Sequence, residues 1–140
     1  MLIGIDDYQS RDIRRLRGAV ADAREVGTYL QGRLRIPQNH ITILENESAT
    51  RAAILGELRH FALDPRIRRG DTILIFYAGH GHKAAGGPPA NMDVTLPYNV
   101  YCKVEGETVA PISFGALVEE IAQEKGNNIV SYHEISMPFV

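Results

Sequence analysis

Thr72 to Ala78 read Thr-Ile-Leu-Ile-Phe-Tyr-Ala, an uncharged run bounded by Gly70-Asp71 before it and Gly79 after it. Apolar residues that follow one another without alternation belong to a strand covered on both faces, the condition at the centre of a parallel sheet. The rest of the chain must therefore supply parallel neighbours and helices for both faces. Upstream, Leu2 to Ile5 form a short apolar run stopped by Asp6-Asp7. From Leu16 the residues Ala19, Val20, Ala23, Val26 and Leu30 recur at helical steps, with Arg17, Asp22, Arg24 and Glu25 off the stripe, and Pro37 bars continuation. His40 to Leu44 read as a second strand. Asn46 to Thr50 offer N-cap residues to a helix carrying Ile54, Leu58, Phe61 and Ala62, which Asp64-Pro65 ends. Strand, helix, strand, helix, strand is the alternation that gives a parallel sheet with right-handed crossovers.

Beyond the central strand, Lys83 to Ile112 lack a helical period and include Gly86-Gly87-Pro88-Pro89. Within this stretch Val94 to Leu96 and Tyr101 to Val104 suggest a small hairpin, with Glu105-Gly106-Glu107 as a second turn. Phe114, Leu117, Val118, Ile121 and Ala122 form an amphipathic helix closed by Gly126, and Asn128 to Tyr132 begin a fourth strand.

A length of 140 residues holds one domain, so all functional residues share one core. The net charge of -2 gives no concentrated basic surface for nucleic acid or an anionic membrane. The one cysteine, Cys102, excludes an internal disulfide, and nothing suggests an oxidising compartment. No apolar run is long enough to span a bilayer, and Asp6-Asp7 interrupt any signal-peptide core, which makes the cytoplasm the default location. The opening directly into a strand suggests a trimmed left edge.

In open α/β sheets function gathers at the carboxyl ends of the strands. The central strand ends in Tyr77-Ala78-Gly79-His80-Gly81-His82. A histidine between two glycines at a strand end is expected to be exposed at the sheet edge, where glycine permits unusual backbone angles and close approach of another chain. That suits a general base, although a loop histidine without a role fits the same flanks. A metal pair of His80 and His82 needs a third ligand, and no His/Cys cluster of zinc spacing exists.

Leu2-Ile3-Gly4-Ile5, Leu16-Arg17-Gly18-Ala19-Val20-Ala21-Asp22-Ala23 and Asp71 to Phe76 followed by Tyr77-Ala78-Gly79-His80-Gly81 together resemble the caspase-like (peptidase C14) domain of metacaspases, particularly fungal-type ones. The resemblance implies a caspase-like three-layer α/β/α sandwich around a mainly parallel sheet. It also implies a Cys-His dyad peptidase that cuts peptides or proteins after Arg or Lys, and it admits calcium as a cofactor. By the same resemblance His80 falls on the catalytic base and Gly81 on an oxyanion-binding N–H. Asp22 falls on the acid of the S1 pocket, where a carboxylate favours a basic side chain; on periodicity alone it is a solvated charge on the outer face of the helix. Ala78 lines that pocket where the family usually has serine, and Ala19 stands where cysteine is usual. Pro97-Tyr98-Asn99-Val100 resembles the family's Pro-x-Asp segment with Asn99 in place of the acid.

Caspase-type enzymes carry the cysteine about 50 residues after the histidine, at the end of the adjacent strand, which points near residue 130. The family motif there is Asp-x-Cys-x-Ser-Gly, whereas this chain reads Ile129-Val130-Ser131-Tyr132-His133-Glu134-Ile135-Ser136. The resemblance thus implies the N-terminal, large-subunit-like part of a domain, ending before its nucleophile and so inactive alone. Ser136 lies near the expected place without the flanking motif. Cys102, in Val100-Tyr101-Cys102-Lys103-Val104, lacks the family's Ser-Gly turn and reads as an ordinary hairpin cysteine. The alternative function is a non-catalytic module that pairs through an open sheet edge with another copy or a full-length paralogue.

Overall fold

The computed structural model describes residues 1–83 and 93–136. Elements run β1 (Leu2–Gly4), α1 (Ala19–Gly32), β2 (Ile43–Glu45), α2 (Arg51–Leu63), β3 (Ile73–Lys83), β4 (Asp93–Thr95), β5 (Lys103–Val104), β6 (Glu107–Thr108), β7 (Ile112–Ser113), α3 (Phe114–Lys125) and β8 (Ile129–Ser136). Gly86-Gly87-Pro88-Pro89 lie outside the described residues.

β3 is the central strand, as its apolar run requires. It pairs in parallel with β1 on one side and β8 on the other, and β1 pairs in parallel with β2. The sheet is covered on both faces. Ile3, Ile5, Ile75 and Tyr77 pack with Ile54 and Leu58 of α2 and with Phe114 and Ile121 of α3. On the other face Leu2, Phe76 and Ala78 pack with Ala19 and Ala23 of α1. This is the α/β/α layering of a caspase-like fold. No helix among the described residues is long and apolar enough to cross a membrane.

Two differences from the sequence expectations matter for the site. First, β3 does not stop at Ala78. It runs on through Gly79-His80-Gly81, and its last residues pair antiparallel with β4, Gly81 opposite Thr95 and Lys83 opposite Asp93. The suggested hairpin of 94–96 with 101–104 gives way to this arrangement: β4 lies between β3 and β7, and the hairpin formed is β5 with β6 around Glu105-Gly106. Second, β8 extends to Ser136, giving eight consecutive parallel pairs from Ile73–Ile129 to His80–Ser136. Residue 130 therefore lies opposite Leu74, deep along the strand, and the position beside His80 is 136.

Helix ends explain the local boundaries. Thr50 caps α2 by accepting the Ala53 N–H, and the Asn99 side chain accepts the Arg51 N–H from across the fold. At α1 the capping group is remote: the Asp6 carboxylate, at the end of β1, accepts the N–H groups of Ala19 and Val20 at 2.9 and 3.3 Å. An anion at the positive end of a helix is favourable, and this one also ties strand to helix. α2 ends at Asp64, where the Lys125 ammonium donates to the carbonyls of Asp64 and Ile67.

Candidate active site

The carboxyl ends of β1 and β3 and the amino end of α1 meet at one edge of the sheet, where Ile5 N–H donates to the Ala78 carbonyl and Asp6 caps α1. His80 lies there. It is only 2% exposed, so the expectation of an exposed edge histidine is corrected. The loop from Asp6 to Gly18 covers it, held by Leu16 N–H to the Asp6 carbonyl and Gln9 N–H to the Tyr98 carbonyl. The expectation of unusual backbone angles is corrected as well, because neither Gly79 nor Gly81 has a positive φ. Their missing side chains serve close packing: a Cβ on Gly81 would lie 2.6 Å from the Val94 carbonyl oxygen and 2.9 Å from Ile135 Cγ2.

Both ring nitrogens of His80 face main-chain carbonyls. Nε2 lies 2.6 Å from the Arg14 oxygen and Nδ1 2.9 Å from the Ser136 oxygen. A neutral imidazole carries one N–H and can donate to only one of them, whereas the cationic ring donates to both. The Arg14 carbonyl fixes the ring from the covering loop, and the other nitrogen points to the end of β8.

Gly81 opposes Thr95. One residue earlier, Leu96 N–H donates to the His80 carbonyl, so the main chain of His80 faces β4 and that of Gly81 does not. The Gly81 N–H is therefore directed away from β4, toward the side on which β8 lies.

Asp22 sits in the first turn of α1 and is half-buried; its N–H donates to the Gly18 carbonyl. Its carboxylate makes no hydrogen bond among the described residues. Ala78 is 1% exposed and lies under α1 beside Ala19 and Ala23. The fold thus brings Ala78, His80 and Gly81 together on β3 and sets Asp22 at the same end of the sheet.

Ser136 reaches His80 through its main-chain oxygen. Cys102, partly buried, lies in the turn before β5, its N–H donating to the Asn99 carbonyl and its own carbonyl accepting the Val109 N–H. No contact joins it to His80 among the described residues. Nor, among them, does any group of three or more His, Cys, Asp or Glu side chains converge as a metal site.

Three contributors escaped the sequence reading. Tyr8 packs its ring against His80, centroids 5.3 Å apart, and its hydroxyl accepts the His80 N–H at 2.7 Å. Burial pushes the Tyr8 hydroxyl up to about 12. Asp6 holds α1. Arg14 acts through its backbone, for which residue type gives no signal.

His80 is thus a buried histidine at the carboxyl edge of a parallel sheet, held between a loop carbonyl and the end of the adjacent strand. A family description of the caspase domain (peptidase C14) matches residues 1–121, and the chain belongs to that family. No curated protein matches it.

Proposed function

We propose that residues 1–140 form the base-bearing part of a metacaspase-type cysteine peptidase domain, with His80 as general base, Gly81 as oxyanion donor, Asp22 as the acid that prefers Arg or Lys before the scissile bond, and Ala78 as a further residue of that pocket. The observation that carries this reading is the orientation of His80, with Nε2 on the Arg14 carbonyl and Nδ1 toward the end of β8. A thiol at the end of β8 would give its proton to Nδ1 and receive help from the Gly81 N–H as negative charge develops on the substrate carbonyl. Within this sequence that place holds Ser136, and the one cysteine lies elsewhere. The 140-residue chain alone is therefore inactive in this reading.

The test is hydrolysis of fluorogenic peptides with Arg or Lys before the scissile bond. The expected rate equals that of His80→Ala. Turnover that disappears on His80→Ala overturns the proposed inactivity. Binding of the same peptides, measured by fluorescence anisotropy, should weaken in Asp22→Asn; equal binding to both proteins overturns the role of Asp22.

A second reading, a non-catalytic module that pairs through its sheet edge with another copy or a paralogue, is favoured by β8. Val130 and Tyr132 there are 51% and 56% exposed. Sedimentation velocity decides: a monomer at every accessible concentration argues against homotypic pairing.

A further inference from the structure

We infer that Tyr8 and Tyr77 are positioning residues that fix the main chain of His80, and that Gly79 is glycine because their two hydroxyls occupy the space of its side chain. The inference rests on the reading of His80 as base.

The ladder around His80 changes partner at this residue. β1 pairs with β3 as far as Gly4–Ala78, and the pairs with β4 begin at Gly81. The His80 N–H thus falls where neither strand provides an acceptor. The Tyr8 hydroxyl takes it at 2.7 Å. The Tyr77 hydroxyl in turn donates to the His80 carbonyl at 2.7 Å, with the Leu96 carbonyl at 2.9 Å sharing it, and the two hydroxyls lie 3.4 Å apart. Proton counting gives the direction. Tyr8 accepts from His80 and has its own hydrogen for the Tyr77 oxygen, and Tyr77 has its hydrogen for the His80 carbonyl. The bonds run in one direction from the N–H of His80 to its C=O, bracing the two peptide groups that flank the residue, an arrangement in which each bond polarises the next.

Gly79 makes the room. A Cβ there would lie 2.5 Å from the Tyr77 hydroxyl oxygen and 2.9 Å from that of Tyr8. Without the Tyr8 hydroxyl the buried His80 N–H loses its acceptor, and the residue that carries the imidazole loses its anchor where the sheet changes from parallel to antiparallel pairing.

The test reads the imidazole of the 140-residue chain and needs no turnover. Ring nitrogen resonances of His80 are recorded by ¹⁵N NMR, and its carbethoxylation by diethylpyrocarbonate is followed by peptide mass spectrometry. In Tyr8→Phe the His80 resonances should move and the modification rate should rise about fivefold, the change in open population that one lost hydrogen bond of ordinary strength produces. Gly79→Ala should act in the same direction. Leu58→Ala, a core truncation in α2, controls for general loss of stability and should leave the resonances in place. Unchanged His80 signals and rate in Tyr8→Phe overturn the inference, as does an equal effect of Leu58→Ala. Should Tyr8→Phe not fold, Tyr77→Phe carries the same expectation, because it removes the hydroxyl that links Tyr8 to the His80 carbonyl and leaves that carbonyl with the Leu96 N–H alone. Failure of the functional reading shows separately, as hydrolysis that survives His80→Ala.

Discussion

His80 and Ser136 are 56 positions apart in the chain and meet as partners in adjacent parallel strands, with Nδ1 2.9 Å from the serine main-chain oxygen. Ser136 contributes only its main chain to the contact, so the identity of the side chain at 136 should not matter to it. Ser136→Ala is expected to change stability by no more than about 0.5 kcal/mol in urea unfolding, the range for exposed substitutions. A serine-directed fluorophosphonate probe should leave the parent chain unlabelled. Labelling at Ser136 would make this serine a nucleophile.

Asp6→Ala removes the acceptor of two N–H groups at the start of α1. Loss of such a cap costs about 1–2 kcal/mol. Urea denaturation should show this loss, and hydrogen exchange should show faster opening of the Ala19 and Val20 amides than of those in the middle of the helix.

Gly4 is where α1 crosses β1 most closely. A Cβ there would lie 2.6 Å from the Ala19 carbonyl oxygen and 2.8 Å from Val20 Cα, both of them backbone. Gly4→Ala must push the helix off the sheet, so a loss of about 1–3 kcal/mol is expected from the thermal melt. An unchanged melting temperature would mean that the helix is not seated as described.

Alkaline stability follows from the tyrosines. Burial raises the Tyr8 hydroxyl to about 12 and the Tyr77 hydroxyl well above its ordinary value near 10. Above that ordinary value the unfolded chain releases both protons while the folded chain keeps them, so stability falls as pH rises. Each retained proton contributes a slope of about 1.4 kcal/mol per pH unit. Stability measured in urea should therefore be flat in this respect below about pH 10 and decline above it, less steeply in Tyr8→Phe.

Asp64 sets the acid limb. The Arg66 guanidinium, and behind it the Arg66 N–H, hold its carboxyl well below the usual carboxylate range. A depressed carboxyl stabilises the fold above its ordinary value and loses that contribution as pH falls toward the folded one. Stability of the parent should decline through the acid range, and Asp64→Asn should be less stable near neutrality with a flatter acid limb.

Much of the fold is legible in sequence because it rests on side-chain type. The unbroken run from Ile73 announces a strand covered on both faces, Thr50 announces a helix start, and Gly126 announces a helix end. What escapes depends on groups that carry no residue label or on partners far away in the chain. The segment Gly79-His80-Gly81 reads as a stop, since glycine normally weakens strands, yet β3 continues through it because β4 pairs with it from beyond residue 92. The start of α1 reads as Leu16, whereas its cap is a carboxylate from β1. Of the site, His80, Gly81 and Asp22 stand in a motif, but the carbonyls of Arg14 and Ser136 could be any residue's.

The pairing of β8 with β3 has a consequence for the time course of folding. β8 follows every other described element in chain order, yet it sits beside the central strand and supplies one of the two oxygens that hold the imidazole. During synthesis β1, β2 and β3 can assemble with α1 and α2 while β8 is still unmade, leaving one flank of β3 uncovered. Closing so long a loop is slow. The site is therefore completed last, and until then the nascent sheet offers its central strand to whatever other chain is near.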